Sequence, residues 1–299
     1  MTSILVIGSS NTDMVIRVRN LPLPGQTVLG ENFETFGGGK GANQAVAARR
    51  AGANVRFFAA VGNDDFGRGA IDTFHAEGID TALIQVLDGI PSGVAMIFVS
   101  ENGENSIAVA PGANGHLSPQ AIESPKDLFD DTSVLLLQLE TPLETVTAAI
   151  ELAFLEGTPC ILNPAPAAPI PDDVLAKLFC ITPNETEAEL LTGVRIVGVR
   201  SAMAAAEILL QRGVKNVVIT LGENGALLHN ADETHHEKTV PVTVIDTTAA
   251  GDTFNGVLAA AVGEGLSLRE SVRLAVAAAT LSVQTAGAIA SIPRREDYE

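Results

Sequence analysis

Residues 133–164 read SVLLLQLETPLETVTAAIELAFLEGTPCILNP. The apolar run 134–139 has the length of a strand. Pro142 then opens a stretch, 143–155, whose length and Ala/Leu content predict a helix, and Cys160-Ile161-Leu162 reads as a second strand. Strand, helix and strand in succession are the unit of an α/β protein with a mostly parallel sheet. The strands are apolar at nearly every position, as expected where helices cover both faces of the sheet.

The same alternation continues on both sides of this unit. Strands are predicted over 4–7, 55–60, 180–182 and 217–221, and helices over 42–51, 67–77, 185–191, 201–212, 252–262 and 268–284. Most of these helices follow a Gly, Pro, Ser, Thr, Asn or Asp, the usual start signals. Two regions break the pattern. Residues 15–36 carry Pro22, Pro24 and Gly25 between short β-prone pieces, and 93–110 reads strand, turn, strand, with Asn102-Gly103 as a hairpin signal. These pieces suit either a small antiparallel sheet covering the main layer or two ordinary surface excursions. The preferred division is one domain, 1–299, with a small lid formed by 14–37 and 92–110.

The 299 residues include 18 basic and 36 acidic side chains, a formal net charge of −18. That excess argues against an extended nucleic-acid footprint or a polybasic membrane contact. Hydrophobic residues make up 46%, enough for a sizeable core, and without Trp and with 1 Tyr that core must be mainly aliphatic. No run approaches the ~20 apolar residues that span a bilayer. Cys160 and Cys180 lie in apolar strands and read as buried reduced thiols. A cytoplasmic protein with no nucleic-acid or membrane partner is expected. Adjacent His235 and His236 read as a solvated loop pair.

Four stretches carry polar chemistry. In Asp246-Thr247-Thr248-Ala249-Ala250-Gly251-Asp252-Thr253-Phe254, small residues precede a helix, so unpaired backbone N–H groups should gather there and form a natural anion site. Asp252 either caps that helix or takes a proton from a hydroxyl while the N–H groups hold a transferring phosphoryl group; spacing alone does not choose. Gly37-Gly38-Gly39-Lys40-Gly41-Ala42-Asn43 opens the helix at 42–51. It lacks both the P-loop and the dinucleotide spacing. It is either a structural turn or a place where Lys40 and Asn43 hold a small polyhydroxyl ligand. A third group follows strand ends: Asn11 and Asp13, Glu140, Asn163, and Asn184 with Glu187. Parallel strands bring their C-terminal ends to one rim, where ligands bind in such folds. Finally, Thr220-Leu221-Gly222-Glu223-Asn224-Gly225 suits either the close passage of nucleotide phosphates or a plain β-turn.

In chain order the strings GSSNTDM, FGGGKGANQAVAARRAG, VGNDDFG, LLLQLETP, LNPAP, TPNETEAELLTG, TLGENGA, DTTAAGDTFNG and GAIASIP resemble the ribokinase subfamily of the PfkB carbohydrate kinases over essentially the whole chain. Related fructokinases and ketodeoxygluconate kinases usually differ at Lys40, Gly41 and Gln44. The resemblance implies a three-layer αβα sandwich with a mostly parallel central sheet and a small β-sheet lid, often paired with the lid of a second subunit in a homodimer. It implies ATP-dependent phosphorylation of the 5-hydroxyl of D-ribose. It assigns the sugar to Asn11, Asp13, Gly39, Lys40, Asn43 and Glu140, the general base to Asp252, and the anion hole to the backbone of Ala249, Ala250 and Gly251. It places ATP at Asn184, Thr220, Gly222, Gly225 and Gly251. Asn184 and Glu187 would position Mg²⁺ and phosphate through water. A K⁺ site would draw on Asp246, Thr248, Ser282, Thr285, Gly287 and Ser291. Val276 departs from the pattern, falling where several ribokinases carry an Asn near the adenine. The alternatives are a related kinase acting on 2-deoxyribose, fructose or a nucleoside, and a non-catalytic sugar-binding regulator.

Overall fold

The computed structural model describes residues 2–125 and 127–299. In chain order the first elements are β1 (Ser3–Ile7), β2 (Asn11–Val18), β3 (Gly30–Gly38), α1 (Lys40–Arg50), β4 (Asn54–Gly62), α2 (Asp65–Glu77), β5 (Ile84–Leu87), β6 (Gly93–Ser100) and β7 (Asn105–Ala110). Then come α3 (Pro119–Glu123), β8 (Val134–Leu137), α4 (Leu143–Leu155), β9 (Cys160–Leu162), α5 (Asp172–Leu175), β10 (Cys180–Ile181), α6 (Glu185–Thr192) and α7 (Val199–Gln211). The last are β11 (Asn216–Thr220), β12 (Ala226–Asn230), β13 (Thr234–Glu237), α8 (Ala250–Gly263) and α9 (Leu268–Ser282).

The large sheet has the order β13-β12-β11-β10-β9-β8-β1-β4-β5. It is parallel from β11 to β5, and β12 and β13 add antiparallel at one edge. Side chains alternate across it. Ile4, Val6, Val134 and Leu136 face a core completed by α1, α8 and α9, while Leu5, Ile7, Leu135 and Leu137 face a second core under α4, α5 and α7. Burial on both faces is why β1 and β8 are apolar throughout, and it makes the molecule a three-layer αβα sandwich. At Gly256 the backbones of α8 and α1 touch: a Cβ there would lie 2.4 Å from the Ala47 side chain and 2.6 Å from the Gln44 carbonyl oxygen.

The second, four-stranded sheet has the order β3-β2-β6-β7, with β2 and β6 parallel and the two outer pairs antiparallel. The stretches that break the α/β alternation thus form one sheet instead of separate excursions, and Asn102-Gly103 turns the β6–β7 hairpin with Gly103 at φ 84°. The chain passes between the sandwich and this sheet at residues 8–10, at Gly39 between β3 and α1, at 88–92 between β5 and β6, and after β7.

Boundaries of the predicted strands and helices differ from expectation by at most two residues, and 143–155 and 160–162 agree. Strand β12 and the edge strand β13 were not expected as strands. His235 and His236 lie in β13, paired to Leu228 and Leu227, instead of in a loop; their hydrogen bonds go to Glu237 and to the Asn224 carbonyl. An edge strand needs only one buried face, so two histidines are tolerated there and mask the periodicity. Among the described residues no helix is long and apolar enough to cross a membrane.

Candidate active site

The C-terminal ends of β1 and β8 and the N-termini of β2, α1 and α8 meet at one rim. Asp252, in the first turn of α8, is 6% exposed. Its Oδ2 accepts a hydrogen bond from Asn43 Nδ2 at 3.0 Å and its Oδ1 one from Gln44 Nε2 at 2.9 Å. Asn43 and Gln44 lie in the first turns of α1, so the contact between α1 and α8 brings the glycine-rich stretch to the Asp252 stretch. Burial raises the Asp252 pKa; the Lys40 ammonium and the Asn43 and Gln44 hydrogen bonds act against it, Glu140 adds to it, and the net shift is upward. Asn43 Oδ1 is buried and has no partner among the described residues, an acceptor available to a ligand hydroxyl.

Glu140 ties three segments together. Its Oε2 accepts from the Ser9 hydroxyl at 2.6 Å and from the Lys40 backbone N–H at 3.0 Å. Asp13 faces the same space, and burial, followed by the charges of Glu140 and Asp252, pushes its carboxyl up to about 6. Burial works against the charge on Lys40, but Asp252, Glu140 and Glu187 outweigh it and raise the ammonium above its ordinary value. Asn11 is buried, with Oδ1 accepting from Asn114 Nδ2 at 2.7 Å. Of the six residues expected at the sugar, Asp13, Lys40, Asn43 and Glu140 thus cluster with Asp252, one positive charge among several carboxylates, and Gly39 packs against the Asn11 backbone.

The start of α8 is open. Ala249 precedes the helix in the left-handed region, at φ 59° and ψ 11°, and no side chain caps the first turn. A left-handed residue followed by helical ones turns successive N–H groups toward one concave point, a backbone nest that suits an anion. The Ala250 N–H is taken by the Thr247 carbonyl at 3.2 Å. Those of Ala249, Gly251 and Asp252 have no acceptor among the described residues. Of the three residues expected to form the hole, Ala249 and Gly251 thus offer free donors and Ala250 does not; Asp252 adds one.

The residues expected at the nucleotide are arranged differently. Asn184 caps α6 in a complete capping box. Its Oδ1 accepts from the Glu187 N–H at 2.8 Å, while its own N–H and its Nδ2 each donate to the Glu187 carboxylate at 2.9 Å. Both oxygens of Glu187 are therefore engaged within the motif. Burial raises its pKa, Asn184 and Lys40 act against it, Asp252 adds to it, and the net shift is upward. Thr220 ends β11 and bridges to Asn184. Gly222 opens a short turn into β12, and a Cβ at Gly225 would lie 2.0 Å from the Glu237 carbonyl oxygen. The turn reading accounts for Gly225 by close packing on β13; Gly222 has open space around it. Val276 is buried in the core beneath α9.

Asp246 joins two loops. Its Oδ1 accepts from the Thr248 N–H at 2.9 Å and the Thr248 hydroxyl at 2.6 Å, and its Oδ2 from the Gly287 N–H at 2.8 Å. The Val283 carbonyl accepts from Ile245 and Asp246, and the Thr285 N–H donates to the Ser282 carbonyl. The Ser282 and Ser291 hydroxyls donate to the Ala279 and Ala288 carbonyls. Burial opposes the Asp246 charge, but the Thr248 and Gly287 hydrogen bonds and Arg17 prevail and lower its pKa. The residues expected at K⁺ supply only oxygen donors, the hard set an alkali cation prefers. Among the described residues no group of three or more His, Cys, Asp and Glu is placed to hold a metal.

Sequence reasoning missed Ser9 and Asn114, which hold Glu140 and Asn11, and gave Gln44, Gln138, Thr182 and Asn255 no place in the site. The signal for Gln138 was its polarity within VLLLQL, and for Gln44 its place among alanines on a buried helix face.

Comparison with known proteins finds carbohydrate kinases. The profile described as "pfkB family carbohydrate kinase" matches residues 1–295. The ribokinase of Haemophilus influenzae is 43% identical over 99% of this chain and 96% of its own. The deoxyribokinase of Salmonella typhi is 37% identical over 99% and 97%. The structure of Arabidopsis thaliana ribokinase complexed with ribose and ATP superimposes with a TM-score of 0.91 at 31% identity, covering 99% of this chain and 97% of that one.

Proposed function

The chain belongs to the pfkB family of carbohydrate kinases, and from that premise we propose that it transfers the γ-phosphoryl group of MgATP to the 5-hydroxyl of D-ribose, giving D-ribose 5-phosphate and ADP. The observation that carries the reading is a buried carboxylate, Asp252, at a helix start with open N–H groups, hydrogen-bonded to Asn43 and close to the charges of Asp13, Lys40 and Glu140.

Phosphoryl transfer needs the attacking oxygen, the phosphorus and the leaving oxygen in line, with the charge on the equatorial oxygens stabilised. In this reading Asn11, Asp13, Asn43 and Glu140 accept and donate to ribose hydroxyls, and Gly39 and the Lys40 backbone form the wall of the pocket. Asp252 orients the 5-hydroxyl and receives its proton at Oδ2. The N–H groups of Ala249, Gly251 and Asp252 stabilise the transferring group, aided by the positive end of α8. Ala250 contributes by fixing the turn. Asn184, Thr220, Gly222 and Gly225 border the nucleotide. Asn184 and Glu187, engaged with each other, act on the Mg²⁺ of the substrate through water. K⁺ held by the oxygens of Asp246, Thr248, Ser282, Thr285, Gly287 and Ser291 would supply positive charge behind the anion-hole loop.

The protein is taken to be cytoplasmic, where MgATP is available. It is also taken to be a homodimer joined through the lid residues 14–37 and 92–110, supported by exposed Phe33, Met96, Ile107 and Val109 on the small sheet. The deciding assay is ADP release from MgATP with D-ribose, 2-deoxyribose, fructose and adenosine, each with and without K⁺. Turnover selective for ribose and stimulated by K⁺ is expected. Selectivity for 2-deoxyribose would move the substrate toward the Salmonella relative. Ribose binding without turnover would replace the enzyme with a regulator.

A further inference from the structure

Behind Asp252 the rim is closed by a chain of buried amides. Gln44, fully buried, donates from Nε2 to Asp252 Oδ1 at 2.9 Å and to Asn163 Oδ1 at 3.1 Å. Its Oε1 accepts from Gln138 Nε2 at 2.7 Å. Asn163 Nδ2 donates to the Thr182 carbonyl, the Thr182 hydroxyl donates to Asn255 Oδ1, and Asn255 Nδ2 donates to the Gly251 carbonyl at 2.8 Å. The chain starts at the Asp252 carboxylate, passes the ends of β9 and β10, and returns to the first turn of α8.

The direction of these bonds is fixed by charge. A carboxylate only accepts, so Gln44 must turn its NH₂ to Asp252; its oxygen then faces Gln138, which must turn its own NH₂ inward. Gln138 Oε1 is left buried and without a partner among the described residues. An unmet acceptor there is costly, and it persists because the other arrangement would set a carbonyl oxygen against the Asp252 carboxylate.

We infer that Gln44, held by Gln138 and Asn163, is the positioning residue that fixes Asp252 Oδ1 and favours its ionised form, leaving Oδ2 directed at the acceptor hydroxyl. The kinetic part of this inference rests on the kinase reading above. The charged groups that face Asp252 are Lys40 of α1, Asp13 of β2, Glu140 beyond β8 and Glu187 of α6. Lys40 stabilises the carboxylate and the three acids oppose it. Gln44 is uncharged and acts by the direction of its hydrogen bond.

The test is Gln44→Met, which keeps the length and packing of the side chain, with Gln138→Met as the second variant. Asp252 is titrated by carbon NMR of carboxyl-labelled aspartate in the ligand-free full chain, and kcat and KM for ribose are measured across pH. Gln44→Met should move the Asp252 titration and the ascending limb of kcat to higher pH. It should lower kcat about ten- to a hundredfold at neutral pH, the effect of losing a hydrogen bond to a charged group, with KM nearly unchanged. Gln138→Met should act in the same direction and less strongly, and it decides the matter if Gln44→Met does not fold. An unmoved Asp252 titration in a folded variant overturns the inference. If the wild type phosphorylates none of the sugars, the kinase reading fails, while the NMR titration still decides whether Gln44 governs Asp252.

Discussion

Helices α6 and α8 both begin at the rim of the sheet, and they complete their first turns in opposite ways. At α6, Asn184 and Glu187 satisfy each other in a capping box, so the backbone N–H groups of these two residues are already used. At α8, Ala249 stands in the left-handed region, no side chain caps the turn, and the Asp252 side chain is drawn away to Asn43 and Gln44. Aspartate is among the best capping residues, yet here it leaves the N–H groups open. A closed cap stabilises its helix; an open one holds donors ready for an anion at the cost of stability. α1 shows a third solution, with its first N–H groups met by Glu140 and Ser9 from distant segments.

The contrast can be broken at several points. Asp252→Asn keeps the shape and the acceptor at Oδ1 but removes the base; kcat for ribose should fall about 10²–10⁴-fold while calorimetry finds ribose binding little changed. Unchanged turnover would make Asp252 structural, like Asn184. Gly251→Pro deletes one open N–H in a first turn that tolerates proline. A loss of about a hundredfold or more in kcat is expected, with Gly251→Ala as the control that keeps the donor. Equal activity of the two variants would remove Gly251 from the anion hole.

At α6 the readout should be stability. Asn184→Ala opens the capping box and should cost about 1 kcal/mol in urea unfolding, and Glu187→Gln less. No change in either would show that the box is not a stabilising cap. The smallest effect concerns Asp13, raised to about 6 by burial and by Glu140 and Asp252. If Asp13 binds the sugar as proposed, its ionised form accepts more hydrogen bonds from hydroxyls than its protonated form, so ribose affinity should strengthen severalfold as pH rises from 5 to 7. Asp13→Asn should flatten that dependence, and a wild-type affinity that is level across this range would separate Asp13 from the sugar.

The alternation of apolar strands and Ala-rich helices was legible in the sequence because burial on both faces of β1, β8 and β11 leaves few polar residues within them. The edge strand β13 was not, since its exposed side admits His235 and His236, and β12 buries only Ala226, Leu227 and Leu228 before His229 and Asn230, too short an apolar run to stand out. Strand-end position and the glycine-rich and small-residue stretches already singled out Asn11, Asp13, Lys40, Asn43, Glu140 and Asp252, and the resemblance gave them roles. It did not reveal that Ala250 gives its N–H to Thr247, or that Glu187 turns both oxygens to Asn184.

The sequence by itself determined which helices have small residues or a capping box at their start, because capping is a matter of neighbours three residues apart. It also determined that polar groups follow the strand ends. Whether the Asp252 side chain capped its helix or bonded elsewhere was decided only by the tertiary structure. The competing partners, Asn43 and Gln44, lie 209 and 208 residues away, and they reach Asp252 because α1 and α8 touch at Gly256. A buried carboxylate takes the donors that packing brings to it, and those donors are set by the fold.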